Sequence, residues 1–153
     1  MAFKEPRILS YEEVRVRLMR WCSLQDRSCF DATKKAKGLG LNENQTAELL
    51  ADLESMKFLD DKRFAESYVS GYTRIKKWGK YKLVNGLRQH GIASSTYQEV
   101  LDALEIDEYK EALLSLLKKK KRLNPSASRE QLIRYALQKG YEQDVIFQCL
   151  DSK

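Results

Sequence analysis

One spacing, repeated three times along the 153 residues, constrains this fold more than any other feature. In the middle copy, Leu83, Val84 and Leu87 precede the pair Gly91-Ile92, and Tyr97, Val100, Leu101 and Leu104 follow it. Stepping back 51 residues reaches Ala32, Ala36, Gly40-Leu41, Leu49, Leu50 and Leu53. Stepping forward 49 reaches Leu132, Ile133, Ala136, Gly140-Tyr141, Ile146, Cys149 and Leu150. Apolar residues at i, i+1 and i+4 make a stripe on a helix. A glycine then accepts the left-handed backbone that closes a helix, and the next apolar residue folds back over the last turn. Asn42, Ser94 or Ser95, and Glu142 stand where the following helix should start. The Asn and Ser side chains can accept from its free amides, and the Glu suits its dipole.

Each copy is preceded by a longer apolar stripe: Val14, Leu18 and Trp21; then Phe64, Tyr68, Tyr72 and Ile75; then Tyr109, Leu113, Leu116 and Leu117. The expectation is an all-α chain of three tandem three-helix repeats at 8–59, 60–105 and 106–151, stacked into an elongated, curved array. Only two prolines and seven glycines interrupt the chain, few for an all-β protein. Units of this size have small cores and should lean on their neighbours.

Enzymatic chemistry has little to work with. His90 is the single histidine, at a position natural for a helix C-terminus, and no ligand cluster joins it at metal spacing. Gly38-Leu39-Gly40 lacks the lysine of a phosphate loop. The pairs Asp60-Asp61 and Asp107-Glu108 sit at helix starts, where capping and the dipole account for them. No enzyme activity, cofactor or metal is expected. Three cysteines, Cys22, Cys29 and Cys149, form no close pair and read as buried thiols. Met1 to Tyr11 shows no apolar secretory core, and no run approaches the ~20 apolar residues of a membrane span. A cytoplasmic location without membrane contact is expected.

The net charge of +6 is unevenly spread. Residues 57–92 hold nine Lys/Arg against three acids, 93–111 one against six, and 118–139 eight against one. Arg74, Lys76, Lys77, Lys80 and Lys82 surround Trp78, Gly79 and Tyr81 at a turn between helices. Such cations neutralise phosphates, and either ring could stack on an unpaired base or pack into the core. Lys118, Lys119, Lys120, Lys121 and Arg122 close a helix, where the dipole favours cations, yet five in succession exceed what one helix end requires. Arg129 and Arg134 on the next helix can extend that surface, and Arg63 and Arg88 are further contact candidates. A face with Lys82, Asn85, Arg88 and Gln89 offers a weaker reading as a helix-turn-helix reader of duplex DNA. A helical adaptor with no nucleic-acid role is the competing class.

The run Leu59-Asp60-Asp61-Lys62-Arg63-Phe64-Ala65-Glu66-Ser67-Tyr68-Val69, followed by Gly79, Leu83 and Leu87-Arg88-Gln89-His90-Gly91-Ile92, resembles the central signature of the RecX family. The flanking repeats resemble it more weakly, and the first departs through Ala32, Ala36 and the extra Gly38. The resemblance implies a monomeric, non-enzymatic modulator of the RecA recombinase, usually an inhibitor. It would lie along the RecA filament and touch both protein and single-stranded DNA, weakly, with salt dependence and without sequence specificity. By spacing alone, Phe64, Ala65, Tyr68 and Tyr72 face a core, so the signature marks the family better than it marks a contact.

Overall fold

The computed structural model describes residues 7–151, so the stretch Met1 to Pro6, part of the segment read for a secretory core, lies outside it. Among the described residues there are nine α-helices and no strand. They are α1 (Tyr11–Leu24), α2 (Cys29–Gly38), α3 (Glu43–Ser55), α4 (Asp61–Gly71), α5 (Lys80–Gln89), α6 (Ser94–Asp102), α7 (Ile106–Leu123), α8 (Arg129–Gln138) and α9 (Gln143–Asp151). A π-helical turn, Tyr72–Lys76, continues α4. The chain divides into two compact units, one ending at Phe64 and one beginning at Ala65 within α4. That boundary falls inside the expected second repeat, 60–105, whose residues 60–64 lie in the first unit.

All three repeat glycines take positive φ: 107° at Gly40, 73° at Gly91 and 95° at Gly140. In each case the next residue donates its N–H to the carbonyl five residues back: Leu41 to Ala36 (3.2 Å), Ile92 to Leu87 (3.0 Å) and Tyr141 to Ala136 (3.2 Å). All six of those residues are buried. This is the helix-closing motif that the spacing predicts.

Starts are less uniform than stops. Ser10, Asn42 and Ser128 form reciprocal capping boxes with Glu13, Gln45 and Gln131. The Asp60 carboxylate accepts from the Arg63 N–H at 3.1 Å, capping α4. Neither Ser94 nor Ser95 caps α6; the helix already begins at Ser94, so the cap position falls on the extended Ala93, which has no side-chain acceptor. Glu142 stands before α9, and its carboxylate is engaged by the Tyr109 hydroxyl.

In the first unit, Val14, Leu18, Ala32, Ala36, Leu41, Leu49 and Leu53 form the core, with Trp21 packed at its edge. The Asp61 carboxylate accepts from the Cys29 N–H at 2.8 Å, holding the start of α2. In the second unit, Tyr109, Leu113, Leu116 and Leu117 of α7 pack with Ala136, Tyr141, Val145, Ile146 and Cys149. Ile75 departs from expectation: it is 79% exposed. The α-helix gives way at Tyr72 to a π-helical turn with i→i+5 bonding, so the three- and four-residue spacing that carries Phe64, Tyr68 and Tyr72 inward no longer aims Ile75 at the core.

The second and third repeats meet backbone to backbone. The Gly79 N–H donates to the Lys139 carbonyl at 2.7 Å, and the Tyr81 N–H donates to the Gly140 carbonyl at 3.0 Å. A Cβ on Gly79 would lie 2.4 Å from the Gly140 carbonyl carbon and the Tyr141 nitrogen, so only glycine permits this approach. Two phenols pin the joint. The Tyr141 hydroxyl donates to the Lys77 carbonyl at 2.9 Å, and the Tyr109 hydroxyl accepts from the Lys80 N–H at 2.8 Å.

Candidate functional site

The predicted basic turn is built from the π-helical segment and the first turn of α5. Arg74 and Lys76 project from the former into solvent, and Lys77 ends it with left-handed backbone at φ 57°. Trp78 turns inward. Its ring stacks on Tyr72 at 4.3 Å between centroids and is covered by the Lys82 ammonium at 4.8 Å. Tyr68 extends the cluster, 4.4 Å from Tyr72, with His90 at its edge. The Lys80 ammonium similarly lies 5.3 Å above the Tyr109 ring.

On the neighbouring face, α5 and the end of α8 enclose an open groove of about 500 Å³. It is lined by Tyr81, Lys82, Val84, Asn85, Arg88, Leu137, Gln138 and Gly140. A second groove of about 190 Å³, between α7 and α8, is lined by Lys120, Asn124, Gln131, Arg134, Tyr135 and Gln138. Gln138 belongs to both, so the two grooves adjoin at the end of α8. Neither lining contains a carboxylate. Lys82 and Arg88 from the second repeat are thereby continued by Arg134 and Lys120 from the third.

The remaining α7 cations point elsewhere. Lys118, Lys119 and Arg122 line a third surface depression together with Glu111, Leu114 and Ser115, so one acid shares it. Lys121 donates to the Ala127 carbonyl at 2.7 Å, tying the turn after α7. Arg129 pairs with Asp151 at 2.9 Å. In the first unit, Arg63 pairs with Asp26 at 2.8 Å and donates to the carbonyls of Lys57 and Phe58. Arg63, Lys121 and Arg129 thus have structural partners, whereas Arg74, Lys76, Arg88 and Arg134 have none among the described residues.

Helix polarity separates the two basic clusters. Lys120, Lys121 and Arg122 occupy the last turn of α7, where the negative end of the dipole favours them by about 0.3–1 kcal/mol each. Lys80 and Lys82 occupy the first turn of α5, the positive end, with no acid in that turn. There the dipole opposes them by a similar amount. The cations Lys120, Lys121 and Arg122 are thus favoured by their own helix. Those of α5 are held at a cost that an anionic ligand would relieve.

Sequence reasoning missed Lys139, whose ammonium lies 5.7 Å from the Tyr135 ring while Lys120 lies 4.8 Å from it. The high basic count over 118–139 contained that signal, and Asn85 stood on the face weighed as a duplex reader; the groove amides Asn124, Gln131 and Gln138 gave none. Burial disfavours the thiolate form of Cys22, Cys29 and Cys149. Burial pushes the Cys29 thiol well up, and the neighbouring Asp61 and Glu54 add to the effect. Among the described residues no group of three or more His, Cys, Asp and Glu is placed to hold a metal, and no helix is long and apolar enough to cross a membrane.

Fold and surface together define an all-helical repeat protein whose open grooves present cations and amides. A family model described as the second three-helix domain of RecX matches residues 60–101. The regulatory protein RecX of Prosthecochloris aestuarii is 28% identical over 137 residues, covering 88% of this chain and 89% of its own. That of Bacillus licheniformis is 28% identical over 134 residues, 85% of this chain and 51% of its own. That of Clostridium tetani is 38% identical over 79 residues, 51% and 36% of the two chains. The match thus spans about half or less of two of these three relatives. The crystal structure of RecX from Lactobacillus salivarius superposes with a TM-score of 0.84 at 20% identity, covering 92% of this chain and 94% of that one. A second RecX crystal structure gives 0.83 at 23% identity, covering 93% and 73%. At those identities the superpositions establish the fold. The chain belongs to the RecX family.

Proposed function

We propose that this chain is a non-enzymatic regulator, an inhibitor, of the RecA recombinase, binding the RecA–DNA filament through the cations of its second unit. The observation that carries the reading is the pair of carboxylate-free grooves meeting at Gln138, with Lys82, Arg88, Lys120 and Arg134 in their linings. Arg74, Lys76, Lys77 and Lys80 flank one end of this track, and Lys118, Lys119 and Arg122 add charge along α7. Contacts of this kind go to phosphate or to acidic protein surface. They give salt-dependent binding with little base-sequence preference. The choice of partner follows the resemblance to the RecX family, whose relatives here are named regulatory proteins. The protein acts in the cytoplasm as a monomer, and its three repeats at 8–59, 60–105 and 106–151 supply the contact surface.

Occupying the filament groove would obstruct strand exchange or subunit addition. Co-sedimentation with preformed RecA filaments, with and without nucleotide, tests the binding. RecA ATPase and strand exchange test the effect. The expected result is retention on filaments and slowed exchange at stoichiometric protein. Unaltered exchange at large excess removes the inhibitor role, and absence from the filament pellet removes the partner.

A further inference from the structure

Of the aromatic rings near the cationic track, most are already engaged. Trp78, Tyr72 and Tyr68 stack on one another, Tyr109 and Tyr141 are buried, and Tyr135 lies beneath the ammonium groups of Lys120 and Lys139. Tyr81 differs. It is 67% exposed, lines the α5–α8 groove, and its side chain makes no hydrogen bond or ring contact among the described residues.

We infer that Tyr81 is a stacking platform for an unpaired base, and that it makes the α5–α8 groove selective for single-stranded over duplex nucleic acid. This inference rests on the reading of that groove as a nucleic-acid contact, and adds to it the kind of strand taken and the residue that selects it.

Three features support the assignment. The Tyr81 backbone is fixed by its N–H bond to the Gly140 carbonyl, beside the Gly79–Gly140 approach that no side chain could enter. The ring therefore stands on a rigid base, and little beyond its own two torsions is lost on stacking. Its neighbours suit a polynucleotide. Lys82 adjoins it, and Arg88 lies seven residues on, two turns along the same face of α5 and about 10 Å away along the axis. Both can meet phosphates on either side of a stacked base. The other polar lining groups are Asn85 and Gln138, whose amides both donate and accept and so tolerate any base edge. A duplex offers this ring no uncovered base face along its length, so stacking energy is available only from an unpaired strand.

Fluorescence anisotropy on the full chain, with three probes at one low ionic strength, tests the assignment. The probes are an oligothymidylate, an abasic deoxyribose-phosphate strand of equal length, and a blunt duplex. Tyr81→Ala should weaken oligothymidylate binding about tenfold, within the range for one stacked base, and leave the abasic strand unchanged. Tyr81→Phe should bind as wild type. An unchanged affinity of Tyr81→Ala for oligothymidylate, or an equal loss on the abasic strand, overturns the stacking role. The double variant Lys82→Glu/Arg88→Glu separates the two levels of inference, since it should weaken all three probes. If it weakens none, the groove is not a nucleic-acid contact and the reading beneath the proposal fails as well. Far-ultraviolet circular dichroism of each variant confirms that the helices are intact.

Discussion

The Tyr109 hydroxyl accepts from the Lys80 N–H and donates to the Glu142 carboxylate, so one buried oxygen pairs an open amide of α5 and holds the side chain that stands before α9. Burial pushes its pKa well above the ordinary value of about 10, and the bond to Glu142 adds to the rise. Burial raises that of Tyr141 as well, with Cys149 and Glu142 contributing. The folded protein therefore holds both phenolic protons where the unfolded chain releases them. Stability from these groups is fully present below about pH 10 and falls as pH rises above it, because the folded state then binds more protons. Urea unfolding between pH 8 and pH 11 should show a midpoint that declines only above about pH 10. Tyr109→Phe should lose about 1–3 kcal/mol at pH 8, since it strands the Lys80 amide and the Glu142 carboxylate, and should show a shallower alkaline decline.

At the scale of elements, the helix-closing glycine shows how one sequence rule meets different surroundings. Gly40 and Gly140 occupy the same repeat position with similar φ, 107° and 95°. Around Gly40 there is nothing within 4 Å of an added Cβ, whereas at Gly140 it would lie 2.5 Å from the Lys82 nitrogen. Gly40→Ala should therefore cost only the left-handed strain, about 1–2 kcal/mol. Gly140→Ala should cost that plus an overpacking penalty of about 1–3 kcal/mol, because backbone atoms cannot move aside like a side-chain tip. Chemical denaturation of both variants checks the order, and equal losses would contradict the close approach at the joint. The same contrast explains what was legible. Local spacing revealed the closing turn in all three repeats, since its hydrogen bonds lie within six residues. It could not reveal the π-helical turn that exposes Ile75, because a registry change inside a continuous helix leaves the apolar spacing unaltered.

For the molecule as a whole, charge placement matters more than the total. With Lys82, Arg88, Lys120 and Arg134 meeting phosphates, binding of single-stranded DNA should weaken with salt at a slope near −3 in log K against log salt, about −0.7 for each of four contacts. Anisotropy titrations across a tenfold range of sodium chloride measure it. A slope near zero would remove the grooves as a phosphate track. Replacing Lys82 with glutamine should lower affinity while changing stability little. The lost contact with Trp78, about 0.5–1 kcal/mol, is offset by removing a cation from the positive end of α5.

The sequence alone determined the helices, their closing glycines, most of the cores and the concentration of positive charge, because each depends on neighbours a few residues apart. Tertiary structure decided which cations have structural partners, as Arg63, Lys121 and Arg129 do, and which line the grooves that meet at Gln138. It also decided that Trp78 packs inward while Tyr81 stays in solvent. That choice turns on the contact of Gly79 with Gly140, 61 residues apart, and local periodicity carries no information about a meeting at that distance.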